Sequence, residues 1–236
     1  MSEQDRDREL AAIAERYARR EEGAVLDRYS LLRPEVWQML QERQRAMLKL
    51  LARRPGRLAD WQLSEVGCGV GGNLLEMLRL GFTPEHLSGI ELLPQRFDEA
   101  RGRLPATCRL HLGDASQAPI AAASQDLVLQ FTVFSSILSD AVQQSVADAM
   151  WRWLKPGGAV LWYDFTVNNP RNPDVRGVPM ARVRSLFPGA RISHQRLTLA
   201  PPLARLVCRL HPVCYTLFNS LPVLRTHVLA CIEKPL

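Results

Sequence analysis

Glu65 to Gly72, EVGCGVGG, is the stretch on which the reading of this chain turns. Before it, Trp61 to Val66 reads as a strand; after it, Gly71 to Leu80 reads as a helix. Glycines at such a junction let the backbone turn sharply and let a ligand reach the main chain without meeting a Cβ. Gly67, Gly69 and Gly72 satisfy GxGxxG, a pattern that is weak evidence by itself. The alternation continues outward from the loop. Leu87 to Glu91 reads as a strand, Pro94 to Arg103 as a helix, Cys108 to Leu112 and Asp126 to Phe131 as strands, Asp140 to Leu154 as a helix and Ala159 to Phe165 as a strand. The last third adds Pro179 to Phe187 (helix), Ala190 to Leu199 (strand), Pro202 to Asn219 (one helix) and Thr226 to Glu233 (strand). Such alternation predicts βαβ units and a parallel sheet with helices on both faces.

Two carboxylates sharpen the reading of the loop. Glu65 stands two residues before Gly67, where a dinucleotide fold keeps an apolar residue. An anionic side chain there is a poor neighbour for a pyrophosphate and a good one for a cofactor carrying positive charge. Glu91 ends the next strand, 24 residues after Gly67, at the place of the acidic residue that takes a ribose hydroxyl pair.

From Glu65 to Phe165 the chain resembles the class I S-adenosylmethionine-dependent methyltransferases, of the type 11/12-like kind, on five motifs in order. EVGCGVGG resembles the family's glycine loop, GIELLPQRFDEAR (Gly89 to Arg101) its second motif, HLGDAS (His111 to Ser116) its third, QDLVLQFTVF (Gln125 to Phe134) its fourth strand, and LKPGGAVLWYDF (Leu154 to Phe165) the helix, turn and fifth strand that follow. The resemblance implies S-adenosyl-L-methionine as cofactor, held by Glu65, Gly67, Cys68, Gly69 and Gly71, with Glu91 on the ribose, Leu92, Asp114 and Ala115 around the adenine, and Gln130 and Phe131 beside the sulfonium. It also implies a Rossmann-like α/β fold with a seven-stranded, mostly parallel sheet, helices on both faces and one antiparallel strand. Residues 1–57 are expected to form an N-terminal helical lead-in or cap, and residues 58–236 the methyltransferase domain.

Methyl transfer asks the protein mainly to align a nucleophile behind an activated methyl group, and a hydroxyl acceptor also needs a base. Asp164, at the predicted carboxyl end of the fifth strand, is the candidate base, with loop capping as the alternative role. Tyr29, and Asn168 and Asn169 in the loop NNPRNPDVRG, are candidate substrate contacts; Tyr29 with Trp37 could equally be hydrophobic packing, and the Asn pair plain turn chemistry. No HExxH or clustered His/Cys spacing occurs, so no metal is expected.

The 236 residues carry a formal charge of +6. From Met1 to Asp164 there are 20 basic and 22 acidic residues, from Phe165 onward 10 basic and 2 acidic, so the excess belongs to the last third. The QFTVF segment lacks the Asp/Asn-Pro-Pro-Tyr pattern of family members that methylate exocyclic amines, and Arg182, Arg184, Arg191, Arg196, Arg205 and Arg209 are spread over separate elements without aromatic base-stacking motifs. On those grounds the expected acceptor is a small molecule or glycan intermediate, the basic third favouring an anionic one, and nucleic acid is disfavoured as a partner. An RNA methyltransferase using the basic third, and an NAD-dependent oxidoreductase using GxGxxG, are the alternatives. Five scattered cysteines fit a reducing, cytoplasmic compartment. Nothing reaches the length of a membrane span; Pro201 to Pro222, the most apolar late stretch, is interrupted by Arg205, Arg209 and His211 and reads as a packed helix.

Overall fold

The computed structural model describes residues 3–21, 30–168 and 172–236. Its strands are β1 (Leu63–Val66), β2 (Leu87–Glu91), β3 (Arg109–Leu112), β4 (Gln125–Phe131), β5 (Leu154–Phe165), β6 (Arg191–Leu199) and β7 (Arg225–Glu233). They form one sheet in the order β3-β2-β1-β4-β5-β7-β6. The first five pair in parallel, while β7 runs antiparallel to both β5 and β6. This is the expected seven-stranded Rossmann-like sheet with one reversed strand. Its order switches between β1 and β4, where open α/β sheets leave a crevice at the carboxyl ends of their strands.

The helices are α1 (Glu3–Glu21), α2 (Pro34–Leu51), α3 (Gly72–Leu80), α4 (Pro94–Arg103), α5 (Asp140–Trp153), α6 (Met180–Leu186), α7 (Pro201–Leu210) and α8 (Val213–Asn219). Alternation along the strands divides the core into two layers. Val128, Val160 and Trp162 face α5, α6 and Ile13 of α1, whereas Leu127, Leu129 and Leu161 face Met47 of α2 and Leu74 and Met77 of α3. Pro34 opens α2 in its first turn, where a missing N–H costs nothing. Ser139 caps α5 by accepting a hydrogen bond from the Val142 N–H.

Two expectations need correction. The fifth strand starts at Leu154 rather than Ala159, because Leu154 pairs with Gln125 ahead of a register shift that Gly157, at φ +75°, accommodates. The single helix expected from Pro202 to Asn219 is two. His211, forced toward extended backbone by the proline after it (φ −163°, ψ 140°), ends α7, and Pro212 restarts the chain into α8. Glu42 of α2 fastens this pair. One of its oxygens accepts from the Thr198 N–H at 3.0 Å and the Tyr215 hydroxyl at 2.9 Å, the other from the Asn219 amide at 2.7 Å.

Candidate active site

At the carboxyl ends of β1, β2 and β4 lies a cleft of about 810 Å³, part of it open to solvent. The glycine loop forms its floor because Gly67, Gly69 and Gly71 take left-handed φ of +65°, +56° and +83°, which bulkier residues adopt only under strain. The loop seats on β2 through Cys68, whose sulfur lies so close to Gly89 that a Cβ there would meet it at 2.7 Å. Glu91 then clamps the turn, accepting from the Gly69 N–H at 2.8 Å and the Leu93 N–H at 2.9 Å.

Of the residues expected around the cofactor, Gly67, Glu91, Leu92, Asp114, Ala115 and Phe131 line this one cleft. Cys68 packs beneath the loop and is buried, as is Gln130, whose side-chain oxygen holds the Val133 N–H at 2.8 Å. Asp114 caps the turn after β3, accepting from the Ser116 N–H and hydroxyl.

Glu65 is fully buried. Its Oε1 accepts from the Asn73 amide at 2.6 Å, while its Oε2 has no hydrogen-bond partner among the described residues. Burial pushes its carboxyl up to about 7, against the hydrogen bond from Asn73 and the charge of Arg43, which pull it down. An unpaired carboxylate oxygen under a glycine floor suits a cationic amino group. Glu65 is not among the residues that line the cleft, but with its free oxygen beneath the loop the site fits S-adenosylmethionine, whose methionine part carries such a group.

Asp164 is not brought into the cleft. It is fully buried, with one oxygen on the Ser135 N–H at 3.1 Å and the other on the Phe165 N–H at 2.9 Å, so it anchors the turn that follows β4. Burial lifts its carboxyl to about 7. Asn168 closes its own loop by accepting from the Gly177 N–H at 2.8 Å. Tyr29 and Asn169 lie outside the described residues.

The structure adds groups that sequence reasoning missed. Leu10, Ile13 and Tyr17 of α1 line the cleft, and α1 is strapped across it at several points. Arg16 donates to the Ser136 carbonyl at 3.1 Å, Glu9 accepts from the Leu138 N–H at 2.8 Å, Arg6 stands 3.6 Å from Asp114, and the Arg96 guanidinium lies 5.0 Å above the Tyr17 ring. Thr132, exposed at the end of β4, lines the cleft in a left-handed conformation of φ +60°. Arg43 of α2 donates to Asn73 at 2.8 Å and lies 4.8 and 5.4 Å over the rings of Phe131 and Tyr163. Tyr163 in turn stacks on His227 at 5.1 Å, and burial with Arg43 holds that imidazole down to about 4. A β-branched residue at positive φ, and the reach of one arginine from a separate helix, leave no local signal in sequence.

Residues 64–158 match the methyltransferase-domain family. Over that segment the chain is similar to the class I S-adenosylmethionine-dependent methyltransferases. Among curated relatives, the chain is 32% identical over 115 residues to the tRNA N(3)-methylcytidine methyltransferase Mettl2 of Drosophila melanogaster, a match covering 43% of this chain and 33% of that protein. It is 28% identical over 119 residues to the tRNA N(3)-cytidine methyltransferase METTL2B of Homo sapiens, covering 47% and 31%. The matches thus span about a third of the length of these relatives. Two solved structures share the fold. One is a Haloferax volcanii complex between the Trm112 methyltransferase activator and a methyltransferase (TM-score 0.59, 19% identity, 84% of this chain and 91% of that one). The other is Haemonchus contortus phosphoethanolamine N-methyltransferase 2 with S-adenosyl-L-methionine (TM-score 0.61, 14% identity, 81% and 53%).

These findings set aside the nicotinamide alternative. They also overturn the expected acceptor: the small-molecule or glycan reading, and with it the disfavouring of nucleic acid, conflicts with curated relatives that are named for tRNA. The inference failed on its premise. Scattered arginines without an aromatic motif argue against sequence-specific readout of single strands, but phosphate contacts need no such motif.

Proposed function

We propose that this methyltransferase acts on a nucleobase ring nitrogen of a structured RNA, with N3 of a tRNA cytidine as the first acceptor to test. The observation that carries the reading is the similarity to two tRNA cytidine methyltransferases. S-adenosylmethionine, when bound, supplies a methyl group on a cationic sulfur. Glu65, Gly67, Gly69 and Gly71 would hold its methionine part, Glu91 its ribose, and Leu92, Asp114 and Ala115 its adenine, while Cys68 and Gln130 support the floor and Phe131 borders the acceptor side. Within residues 1–57, expected as the cap, α1 takes that role through Leu10, Ile13 and Tyr17, which line the cleft.

The chemistry suits what the chain offers. N3 of cytosine has an in-plane lone pair and no hydrogen, so its attack needs alignment and no base. That accords with Asp164 serving to anchor the turn after β4, which bears Thr132 and Val133 on the cleft wall. Phosphates would meet the basic last third, in which no acidic residue occurs from Val175 to Ile232. No described helix is long and apolar enough to cross a membrane, and the five cysteines are all free, which supports a cytoplasmic setting.

The test is transfer of a labelled methyl group to total tRNA, followed by nucleoside mass spectrometry. Label in 3-methylcytidine is the expected result. A protein that binds S-adenosylhomocysteine yet labels no RNA refutes the acceptor and leaves the cofactor reading standing.

A further inference from the structure

Between the carboxyl end of β6 and the start of β7, the chain builds a projection from α7, α8 and the turn after them. The inner faces of its helices are accounted for: Ala204, Val207, Cys208 and Tyr215 pack on Leu199, with Met39, Leu203 and Leu224 around them. The outer side is apolar as well. Leu206, Leu210, Val213, Leu217, Leu221 and Val223 are each more than half exposed, between 52% and 80%. Isolated exposed aliphatic residues need no explanation, but six within eighteen residues on one projection do.

Charge narrows what could cover this surface. Arg205 and Arg209 stand on α7 and exposed His211 follows, and no carboxylate occurs anywhere from Val175 to Ile232. A second copy of the chain docked face to face would bring these arginines together without a counter-charge from this segment, which disfavours a symmetric dimer. RNA would meet the arginines but gain nothing from aliphatic side chains that neither stack nor hydrogen-bond. An anionic bilayer satisfies both features at once, since its headgroup phosphates pair with arginine and its acyl boundary receives leucine and valine.

We infer that the α7–α8 projection docks this protein peripherally on an anionic lipid surface, with the six aliphatic residues inserted at the acyl boundary and Arg205 and Arg209 at the headgroups. The projection sits at the same edge of the sheet as the catalytic cleft, because β6 runs parallel to β5 and delivers the chain to that edge at Leu199. The cleft lies over β1, β2 and β4 and the projection over β6 and β7, so the docking surface and the cleft occupy separate parts of that edge. The inference goes beyond the RNA reading and does not depend on the acceptor.

The experiment is co-sedimentation of the full chain with vesicles of phosphatidylcholine alone or with roughly 40% phosphatidylglycerol, at low salt and at about 0.5 M salt. The expected result is pelleting with the anionic vesicles, weakened by salt, and roughly tenfold lower partitioning for the double variant Leu206→Glu with Leu217→Glu. Both positions are exposed, so S-adenosylhomocysteine binding by the variant should equal that of the wild type and certify its fold. No pelleting of the wild type, or equal pelleting of the variant, overturns the inference. So does a wild-type dimer that the variant dissociates, or a loss of tRNA binding in the variant without any vesicle binding by the wild type.

Discussion

As a cofactor contact, Glu65 would make the affinity of the site depend on pH through its carboxyl. Its carboxyl titrates near 7 because burial outweighs the Asn73 hydrogen bond and the Arg43 charge, with Glu91 and Glu76 adding smaller upward pushes. The form that pairs with a cationic amino group is the ionised one. Affinity for S-adenosylhomocysteine should therefore be full above pH 7 and fall about tenfold per unit below it. Calorimetric titration from pH 5.5 to 8.5 would show this bend in the wild type, a flat and weaker profile in Glu65→Gln, and a bend displaced upward in Arg43→Gln. A wild-type profile without the bend would remove Glu65 from the cofactor site. Thr132 carries a different kind of tension. A β-branched residue at φ +60° costs on the order of 1–3 kcal/mol, whereas glycine there loses only about 1 kcal/mol to its freer unfolded chain. Thr132→Gly should accordingly raise the thermal midpoint by roughly 2–4 °C while slowing methyl transfer, since the side chain lines the cleft. A lower midpoint would mean that the surroundings, and not strain, set this residue's energy. The turn of the glycines and the position of Glu65 beneath it were legible because both are local, fixed by a strand–loop–helix junction. Arg43 was not, since its partners Asn73, Phe131 and Tyr163 are assembled only when α2 docks.

At the scale of elements, α1 and α2 do separate work. α2 is a structural member, and Glu42 is its rivet: three donors on β6 and α8 converge on one carboxylate. Removing it strands the Thr198 N–H, the Tyr215 hydroxyl and the Asn219 amide, at about 1 kcal/mol or more each. Glu42→Ala should lower the unfolding free energy by about 3 kcal/mol in a urea titration, with Glu42→Gln intermediate; an unchanged midpoint would show the α8 anchor to be dispensable. α1 instead closes the cleft. A chain lacking residues 1–21 loses the wall made by Leu10, Ile13 and Tyr17 but keeps the strands and both sheet faces. It should stay folded by circular dichroism and bind S-adenosylhomocysteine at least about tenfold more weakly, by the apolar area those side chains would cover. Equal affinity would make α1 an ornament of the fold. Strands and helices of the βαβ half were readable from periodicity to within a few residues, because each alternates once between core and loop. The α7–α8 break was signalled by His211–Pro212, yet an apolar run masked it, since both helices bury one side and both keep a second apolar side outside.

The molecule as a whole separates its charge from its chemistry. The first 164 residues sum to −2 and contain the entire cleft, while the remainder carries +8 and follows the fifth strand. That asymmetry was plain in the sequence; its meaning was not, because a charge count holds no information on whether arginines converge. In the folded chain Arg182 is engaged with Gln143 and the Asp140 carbonyl, and Arg176 with Asp140. Arg184 on α6 and Arg191 and Arg196 on the outermost strand remain exposed. If RNA is the acceptor, these three are phosphate contacts that the basic last third offers outside the α7–α8 projection. Each neutralised phosphate contributes roughly 0.7–0.9 to the slope of log affinity against log salt. Replacing all three by Ala should reduce that slope by about 2, measured by fluorescence anisotropy of labelled tRNA between 50 and 300 mM salt. Cofactor affinity should stay unchanged, because none of the three lines the cleft. An unaltered slope would move the RNA path away from the β6 edge and toward the mouth of the cleft, where Arg6 and Arg96 already stand.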